Sequence, residues 1–299
     1  MNYRMLRFGL ITFILFGIGV LLLLFVNTSS SSASDVSEYG IRERNLITAF
    51  PTRAVSESQN TLDSPENVPK KVLKKESPSV VYKVAIDAGH QSKGNYEKEP
   101  IGPGATQTKA KVSSGTQGVS TGVPEYKLTL TIAKKVKKEL SNRGYEVIMI
   151  RNSHDVNLSN RERAEIANES DADIFIRIHA DGSTNPKANG ASTLYPSKDN
   201  PYVSSISKES KLLSEKIVDS LCKTTGAKNR GAIARDDMSG INWSKLPVSI
   251  IEMGFMTNEK EDKLMQKKSY QNKIVAGICD GIDEYFKELE QIERKSNSE

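Results

Sequence analysis

Cysteine and histidine are both scarce in this sequence. Its 299 residues include 2 cysteines, Cys222 and Cys279, and 3 histidines. No CxxC pair and no cluster of cysteine with histidine is present, which excludes a structural zinc finger. The two cysteines lie far apart, in segments with helical patterns, and we expect both to be small core residues. One disulfide between them is the alternative.

A large excess of one charge is also absent. Lysine and arginine total 42, aspartate and glutamate total 37, and the formal net charge is +5. The charge is mild and the lysines are scattered along the chain, so we expect no nucleic-acid partner. A mild positive charge instead favours attraction to a polyanionic cell surface.

Long hydrophobic runs are absent, with one exception near the start. Residues 8–26, FGLITFILFGIGVLLLLFV, contain no charged residue and no proline, and Arg4 and Arg7 precede them. At about 1.5 Å per helical residue, the run nearly spans a hydrocarbon core about 30 Å thick. We expect an uncleaved signal anchor that crosses the cell membrane once, with residues 1–7 in the cytoplasm and the rest outside. A cleaved signal peptide and a secreted protein are the alternative, because Ala33 lies in a stretch that suits cleavage.

Residues 27–79 lack apolar periodicity. They are rich in serine and charged residues and include prolines at positions 65, 69 and 78. Such a segment buries too little surface to offset the entropy lost on ordering. We therefore predict a disordered linker at 27–79, one folded domain at 80–290 that is large enough to be a catalytic domain, and a polar tail at 291–299.

From residue 80 onward, strand and helix patterns alternate. In the segment 124–144, apolar residues recur every four positions from Leu128 to Leu140, between Pro124 and Gly144. The alternation predicts an α/β fold: a single domain with a mostly parallel sheet flanked by helices on both faces. The predicted strands are 80–86, 145–151, 172–181, 190–196, 231–235 and 247–255, and the predicted helices are 124–144, 157–170, 207–225 and 270–290.

Polar residues occur near the carboxyl ends of predicted strands, where open α/β sheets bind ligands. His90 follows the first strand in YKVAIDAGHQ, His179 lies near the end of the third, and Glu252 interrupts the apolar strand 247–255. A carboxylate in a buried strand is costly unless it is paired or protonated, which marks Glu252 as a candidate functional residue. Glu125 opens the first long helix, where the helix dipole alone would also favour it.

These four residues fit a known chemical arrangement. Two imidazoles and one carboxylate are a common catalytic zinc shell, and a second carboxylate can carry a proton between water and a leaving amine. We therefore predict that His90, Glu125 and His179 bind one Zn²⁺ and that Glu252 is the catalytic base. Their spacing is not a compact motif such as HExxH, and a lone histidine at a strand end is more often a surface or core residue. His154, in a predicted loop, is expected to be exposed.

Several segments carry a family resemblance. They are IDAGH at 86–90, PEYKL at 124–128, ADIFIRIHAD at 172–181, PVSIIEMGFMTN at 247–258, and the scattered set Arg151, Asp155, Leu158, Arg163, Ala167 and Asn168. Over residues 82–288 the pattern resembles the zinc-dependent N-acetylmuramoyl-L-alanine amidases of bacterial cell walls. The resemblance implies a six-stranded α/β sheet, with three zinc ligands and a catalytic glutamate at the four positions above. It also implies hydrolysis, in peptidoglycan, of the amide between N-acetylmuramoyl residues and the L-alanine of the stem peptide.

Three features depart from the family pattern or lie outside it. Arg177 and Asp181 replace the small and amide residues usual around the second histidine, a change that can alter the charge or substrate preference of the groove. Residues 91–123 are either a substrate-contacting loop over the cleft or a disordered insertion. Trp243, the only tryptophan, either lines the groove or packs within its own loop.

Two other functions are compatible with the sequence. A catalytically silent wall-binding or regulatory module on the same fold would be expected to lack a ligand or the glutamate, and here all four residues are present. A zinc carboxypeptidase would need a group such as Arg177 or Arg235 to hold a terminal carboxylate. No wall-binding repeat is visible, so we expect the anchor to localise the enzyme, and the need for a protein activator is left open.

Overall fold

A computed structural model describes residues 81–298 of the chain. Its strands are β1 Lys83–Ala88, β2 Asn95–Pro100, β3 Thr108–Val112, β4 Glu146–Met149, β5 Ile174–Asp181, β6 Ala191–Tyr195, β7 Asn229–Ala234 and β8 Val248–Phe255. Its helices are α1 Glu125–Asn142, α2 Asn160–Asn168, α3 Ser207–Thr225, α4 Ser239–Asn242, α5 Glu259–Met265 and α6 Lys268–Ser296, with a 3-10 turn at Ser204–Ile206.

Six strands form one sheet in the order β4-β1-β5-β8-β6-β7. All neighbouring pairs are parallel except β6 and β8, which run antiparallel. The six strands are those predicted from the alternating pattern, and the mostly parallel α/β sheet is confirmed. Their order places the carboxyl ends of β1, β5 and β8 side by side at one edge of the sheet.

Helices cover both faces of the sheet. On the first face, α1, α3 and α6 pack against side chains such as Ile174, Ile176 and Ile178 of β5. On the second face, α2 and α4 pack against a smaller core that includes Phe175 of β5 and Ile250 of β8. Because side chains alternate along a strand, the residues of β5 in phase with Phe175 project from this second face. Arg177 and His179 are in phase with Phe175, and both belong to the candidate site.

The residues at the helix ends explain where the helices begin. The first helix begins at Glu125 directly after Pro124, which has the extended backbone of a residue that precedes a helix. Ser159 caps α2 in a capping box with Glu162, as its sequence suggests. The last helix continues to Ser296, so most of the predicted polar tail at 291–299 is helical in the structure.

Residues 91–123 contain an ordered β2–β3 hairpin, so the disordered-insertion alternative is wrong. The hairpin packs beside α2 and α4: the backbone N–H of Arg161 donates to Glu99, and the indole of Trp243 donates to the carbonyl of Pro100 at 3.0 Å. Its strands, NYEKEP and TKAKV, are polar and lack apolar alternation. Side-chain and backbone hydrogen bonds to the domain, rather than an apolar face, hold it in place.

The predicted cytoplasmic tip at 1–7, anchor at 8–26 and linker at 27–79 lie outside the described residues. Within residues 81–298, no helix combines the length and apolar character that a bilayer span requires. Cys222 and Cys279 are buried and do not form a disulfide, as expected for small core residues.

Candidate metal centre

His90 lies two residues beyond β1 in a strained backbone conformation. Its φ is 80°, in the left-handed region that non-glycine residues rarely adopt. Its ring Nδ1 lies 2.9 Å from the carbonyl oxygen of Ser113. A carbonyl only accepts hydrogen bonds, so Nδ1 carries the proton and donates it, which leaves the lone pair on Nε2. The loop after the hairpin therefore sets the tautomer that a metal ligand needs.

Glu125 is buried at the first turn of α1, and both of its oxygens accept backbone hydrogen bonds. The N–H of Thr116 lies 2.8 Å from Oε2, and the N–H of Ala180 lies 3.1 Å from Oε1. Burial alone would raise the pKa of this carboxyl, but the adjacent rings of His179 and His90 outweigh it and hold the pKa well below its usual range. Glu125 is therefore ionised.

His179 lies near the end of β5, on the second face of the sheet. Burial lowers the pKa of its imidazole to about 4, so the ring is neutral at physiological pH. A Cβ at position 89 would overlap the His179 ring, which explains why glycine precedes His90 in the motif IDAGH. Gly89 thus lets the end of β1 approach the ring on β5 closely.

The three side chains converge on one point. His90 Nε2, Glu125 Oε1 and His179 Nδ1 are each 3.2 Å from the other two. Ligand atoms about 2.0–2.1 Å from a tetrahedral zinc ion lie about 3.3 Å from one another. The donor set, two neutral imidazoles and one carboxylate, is also one that zinc favours. The residues present therefore fit a zinc ion, and within the described part of the chain they are the group of His, Cys, Asp and Glu side chains that could hold a metal.

Glu252 lies beside His179, its register partner on the neighbouring strand β8. Its Oε2 atom is buried and has no hydrogen-bond partner among the described residues. Burial raises the pKa of Glu252 well above its usual range, and the charges of Glu125 and Asp181 add to the effect. A raised pKa makes a carboxyl a stronger base.

One cleft of about 770 Å³ joins these groups. His90, Glu125, His179 and Glu252 all line it, so the structure brings together the four predicted site residues. Several other lining residues could not be singled out from the sequence, because no motif or period marks them individually. They are Lys109 and Ala110 of the hairpin, Asn160 of α2, and Met238, Ser239 and Gly240 around α4.

Two further aromatic predictions are settled by the structure. Trp243 does not line the cleft; the guanidinium of Arg161 stacks over its ring at 4.3 Å, and its indole binds the hairpin. The alternative of a packed loop aromatic is therefore confirmed. His154 is exposed, as expected, and its ring packs edge-on against Tyr126.

Buried arginines support the end of β1 beneath the cleft. Arg163 donates to Asp87 at 2.7 Å and to the carbonyl of His90 at 3.2 Å. Arg151 donates to the carbonyls of Ala88 and Gly89. Both arginines belong to the scattered motif, and the structure explains them: they fix the turn that carries His90.

Comparisons with known proteins identify the family of the chain. A family model described as N-acetylmuramoyl-L-alanine amidase matches residues 84–284. The amidase LytC of Bacillus subtilis is 30% identical over 169 residues, which cover 56% of this chain but only 32% of LytC. The amidase AmiA of Escherichia coli is 27% identical, over 61% of this chain and 81% of AmiA.

A solved structure gives the same result for the fold. The crystal structure of the amidase Ami1 from Mycobacterium smegmatis superimposes with a TM-score of 0.62 at 27% identity, and the match covers 68% of this chain and 96% of Ami1. The family match extends over most of the described residues and includes all four site residues. The chain therefore belongs to the N-acetylmuramoyl-L-alanine amidase family of bacterial cell-wall enzymes.

Proposed function

We propose that this chain is a zinc-dependent enzyme that hydrolyses the amide bond between N-acetylmuramoyl residues and the L-alanine of the peptidoglycan stem peptide. One observation carries the proposal: three ligand atoms mutually 3.2 Å apart share a cleft with a buried, unpartnered carboxyl. The family membership supplies the substrate class.

In this proposal, His90 Nε2, Glu125 Oε1 and His179 Nδ1 hold one Zn²⁺. Bound zinc supplies Lewis-acid polarisation of a carbonyl and favours the deprotonation of water. The protein fixes the three ligands in advance, because Ser113 sets the tautomer of His90 and two backbone N–H groups orient Glu125.

Glu252 moves the proton. Its Oε2 accepts a proton from the attacking water and then delivers it to the amide nitrogen as the C–N bond breaks. The products are an N-acetylmuramoyl group with a free carboxyl and a stem peptide with a free amine at L-alanine. The burial that raises the pKa of Glu252 also makes it a base strong enough to hold the proton between these two steps.

The two alternative functions have weaker support. A silent module has no need for an assembled set of ligands and a buried, unpartnered glutamate, and this chain has both. For a carboxypeptidase, Arg235 is a poor candidate to hold a terminal carboxylate, because Asp237 already accepts two hydrogen bonds from its guanidinium. Arg177, the other candidate, keeps donors on Nη1 that are free of any acceptor among the described residues, so the identity of the cleaved bond separates a carboxypeptidase from an amidase.

We further propose that residues 8–26 anchor the chain in the cell membrane and place the catalytic domain outside the cytoplasm. The support is the uncharged run itself, preceded by Arg4 and Arg7. Residues 27–79 would then give the domain reach towards the wall.

Product analysis tests the catalytic proposal. The full chain, kept in detergent, is incubated with purified peptidoglycan with chelator, without chelator, and after zinc is restored. Stem peptides that begin with L-alanine, lost with chelator and regained with zinc, are expected by mass spectrometry. Cleavage within the peptide would instead indicate a peptidase, and binding to the wall without products would indicate a silent module.

A further inference from the structure

Arg177 is a buried cation in the floor of the cleft. It lies on β5 two residues before His179, on the same face of the strand, and is 3% exposed. A buried guanidinium is stabilised by acceptors for its N–H groups.

The donors of Arg177 are only partly used. Its Nε and Nη2 atoms donate to the same oxygen of Asp87, at 3.0 and 2.9 Å, and Nη2 also donates to Asn160 at 2.8 Å. A guanidinium has five N–H donors, and the two on Nη1 have no acceptor among residues 81–298. Arg177 itself lines the cleft, so these two donors are available to a bound molecule.

At the end of β1, beneath the cleft, Arg177 shares its carboxylate partner with a second arginine. Asp87 pairs with both Arg163 and Arg177, at 2.7 and 2.9 Å, so one carboxylate faces two guanidinium groups. Arg151, buried nearby, donates to carbonyl and hydroxyl oxygens and has no carboxylate partner in the described part of the chain. Glu125, Asp181 and Glu252 line the same cleft, but none of them makes a hydrogen bond with Arg177. A bound carboxylate would give Arg177 a partner that it does not share with Arg163.

The guanidinium of Arg177 occupies space that only a glycine at position 240 leaves open. Gly240 packs against it, and a Cβ at that position would overlap Nη1. Lys109, the other cation that lines the cleft, is already paired with Asp237. Among the described residues that line this end, Arg177 is therefore the cation with free donors.

The spacing along β5 between Arg177 and the candidate ligand His179 limits which part of a substrate can reach Arg177. Two residues along a strand span about 6.6 Å. An extended peptide covers about 3.3–3.6 Å per residue, so a group two residues beyond the scissile bond lies at a similar distance. In the proposed reaction the lactyl carboxyl of the muramoyl group is part of the scissile amide, so a free carboxylate can come only from the peptide side.

We propose that Arg177 is a specificity-determining residue that binds, through Nη1, a carboxylate on the stem-peptide residue that follows L-alanine. The inference rests on the proposed amidase function and deepens it, because it names the feature of the peptide that the cleft selects. Arg177 does not take part in bond breaking. It discriminates between a charged and an uncharged peptide at one position.

A matched pair of substrates tests this role in the full chain loaded with zinc. Both are N-acetylmuramoyl-L-alanyl dipeptides; one ends in isoglutamate, with a free α-carboxylate, and the other in isoglutamine, with an uncharged amide at that carbon. We expect kcat/KM to be about 10- to 100-fold higher for the carboxylate, as for a hydrogen bond between charged groups. The difference is expected mainly in KM, because the contact forms on binding.

Two variants show whether Arg177 is the source of the preference. Arg177→Lys keeps a positive charge beside Asp87 but loses the planar fork, and the ratio of the two kcat/KM values should fall towards 1. Gly240→Ala displaces Nη1 without changing Arg177 and should lower the same ratio, so the test survives if Arg177→Lys does not fold. Arg294→Lys, at the exposed end of α6, is the control and should keep the wild-type ratio.

The outcomes separate the two proposals. Equal cleavage of both substrates by the wild type would overturn the carboxylate site and leave the amidase function intact. A preference that persists in both Arg177→Lys and Gly240→Ala would overturn the assignment to Arg177. No cleavage of either substrate by the zinc-loaded chain, nor of intact peptidoglycan, would overturn both.

Discussion

Glu252 and Asp87 are both carboxyl groups of the sheet, and their surroundings shift their pKa values in opposite directions. Glu252 lines the cleft, but its Oε2 is buried without a hydrogen-bond partner among the described residues, and burial raises its pKa. Asp87 is fully buried, but two arginines neutralise it. The first arrangement suits a group that exchanges protons, and the second suits a group that holds the fold together.

Replacement of Glu252 by glutamine should remove catalysis and leave zinc bound. The amide has nearly the same shape as the carboxyl but cannot take up a proton, and Glu252 is not one of the three converging ligands. We expect a fall in kcat of about 10²- to 10⁴-fold. Zinc content, measured by atomic absorption, should match the wild type. Substantial residual turnover would remove Glu252 from the mechanism.

Replacement of Asp87 by asparagine should destabilise the domain strongly at neutral pH. Arg163 and Arg177 would be left buried without a counter-charge, and breaking such a pair costs about 3–5 kcal/mol. Urea unfolding at pH 7 measures the loss, with exposed Asp199→Asn as the control.

The destabilisation caused by Asp87→Asn should depend on pH. Burial alone would raise the pKa of Asp87, but Arg163 and Arg177 outweigh it and lower the pKa from 3.8 to about 2. Because the folded-state pKa is below the unfolded value, the stabilisation is present above about pH 4 and is lost as pH falls to about 2. The stability difference between wild type and Asp87→Asn should therefore shrink over this window. A difference that stays constant down to pH 2 would contradict the assignment.

At the scale of whole elements, the loop between β3 and α1 links the two sides of the metal centre. It contains Ser113, which binds His90, and Thr116, which binds Glu125. Asp262 of α5 is buried and holds the far part of this loop, accepting hydrogen bonds from the N–H groups of Ser120 and Thr121 at 2.8 Å. The metal ligands therefore depend on a helix that has no side chain in the site.

Asp262→Ala should weaken zinc binding without removing a ligand. Loss of the three hydrogen bonds from the loop frees the segment that orients His90 and Glu125, and outer contacts of this kind change metal affinity by about 10- to 100-fold. Competition with a chromophoric chelator measures the zinc affinity. Glu259→Ala, at an exposed position of the same helix, is the control. Equal zinc affinity in both variants would show that the loop does not need Asp262.

The sequence predicts the elements that bury an apolar pattern and not those held by polar contacts. The long helices and five strands of the main sheet follow from periodicity, since each packs apolar side chains into the core, while the edge strand β7 is largely exposed. The β2–β3 hairpin and the short helix α5 carry no such pattern and escape prediction. For the same reason the four site residues can be found at strand and helix ends, whereas Lys109, Asn160 and Gly240 reach the cleft only through the tertiary fold.

At the scale of the whole molecule, the folded domain carries the chemistry, and the proposed anchor determines where the chemistry occurs. We expect the full chain to sediment with membranes at high salt and to be released by detergent. High salt weakens electrostatic attachment, whereas the 19 uncharged residues at 8–26 would hold the chain by burying apolar surface in the bilayer. A variant that lacks residues 8–26 should remain in the soluble fraction.

The intact mass of the membrane-bound form should still include residues 1–7, and protease added outside the cell should reach the catalytic domain. A mature chain that begins near Ala33 and appears in the medium would instead establish a cleaved signal peptide, with the same active site acting on the wall from solution.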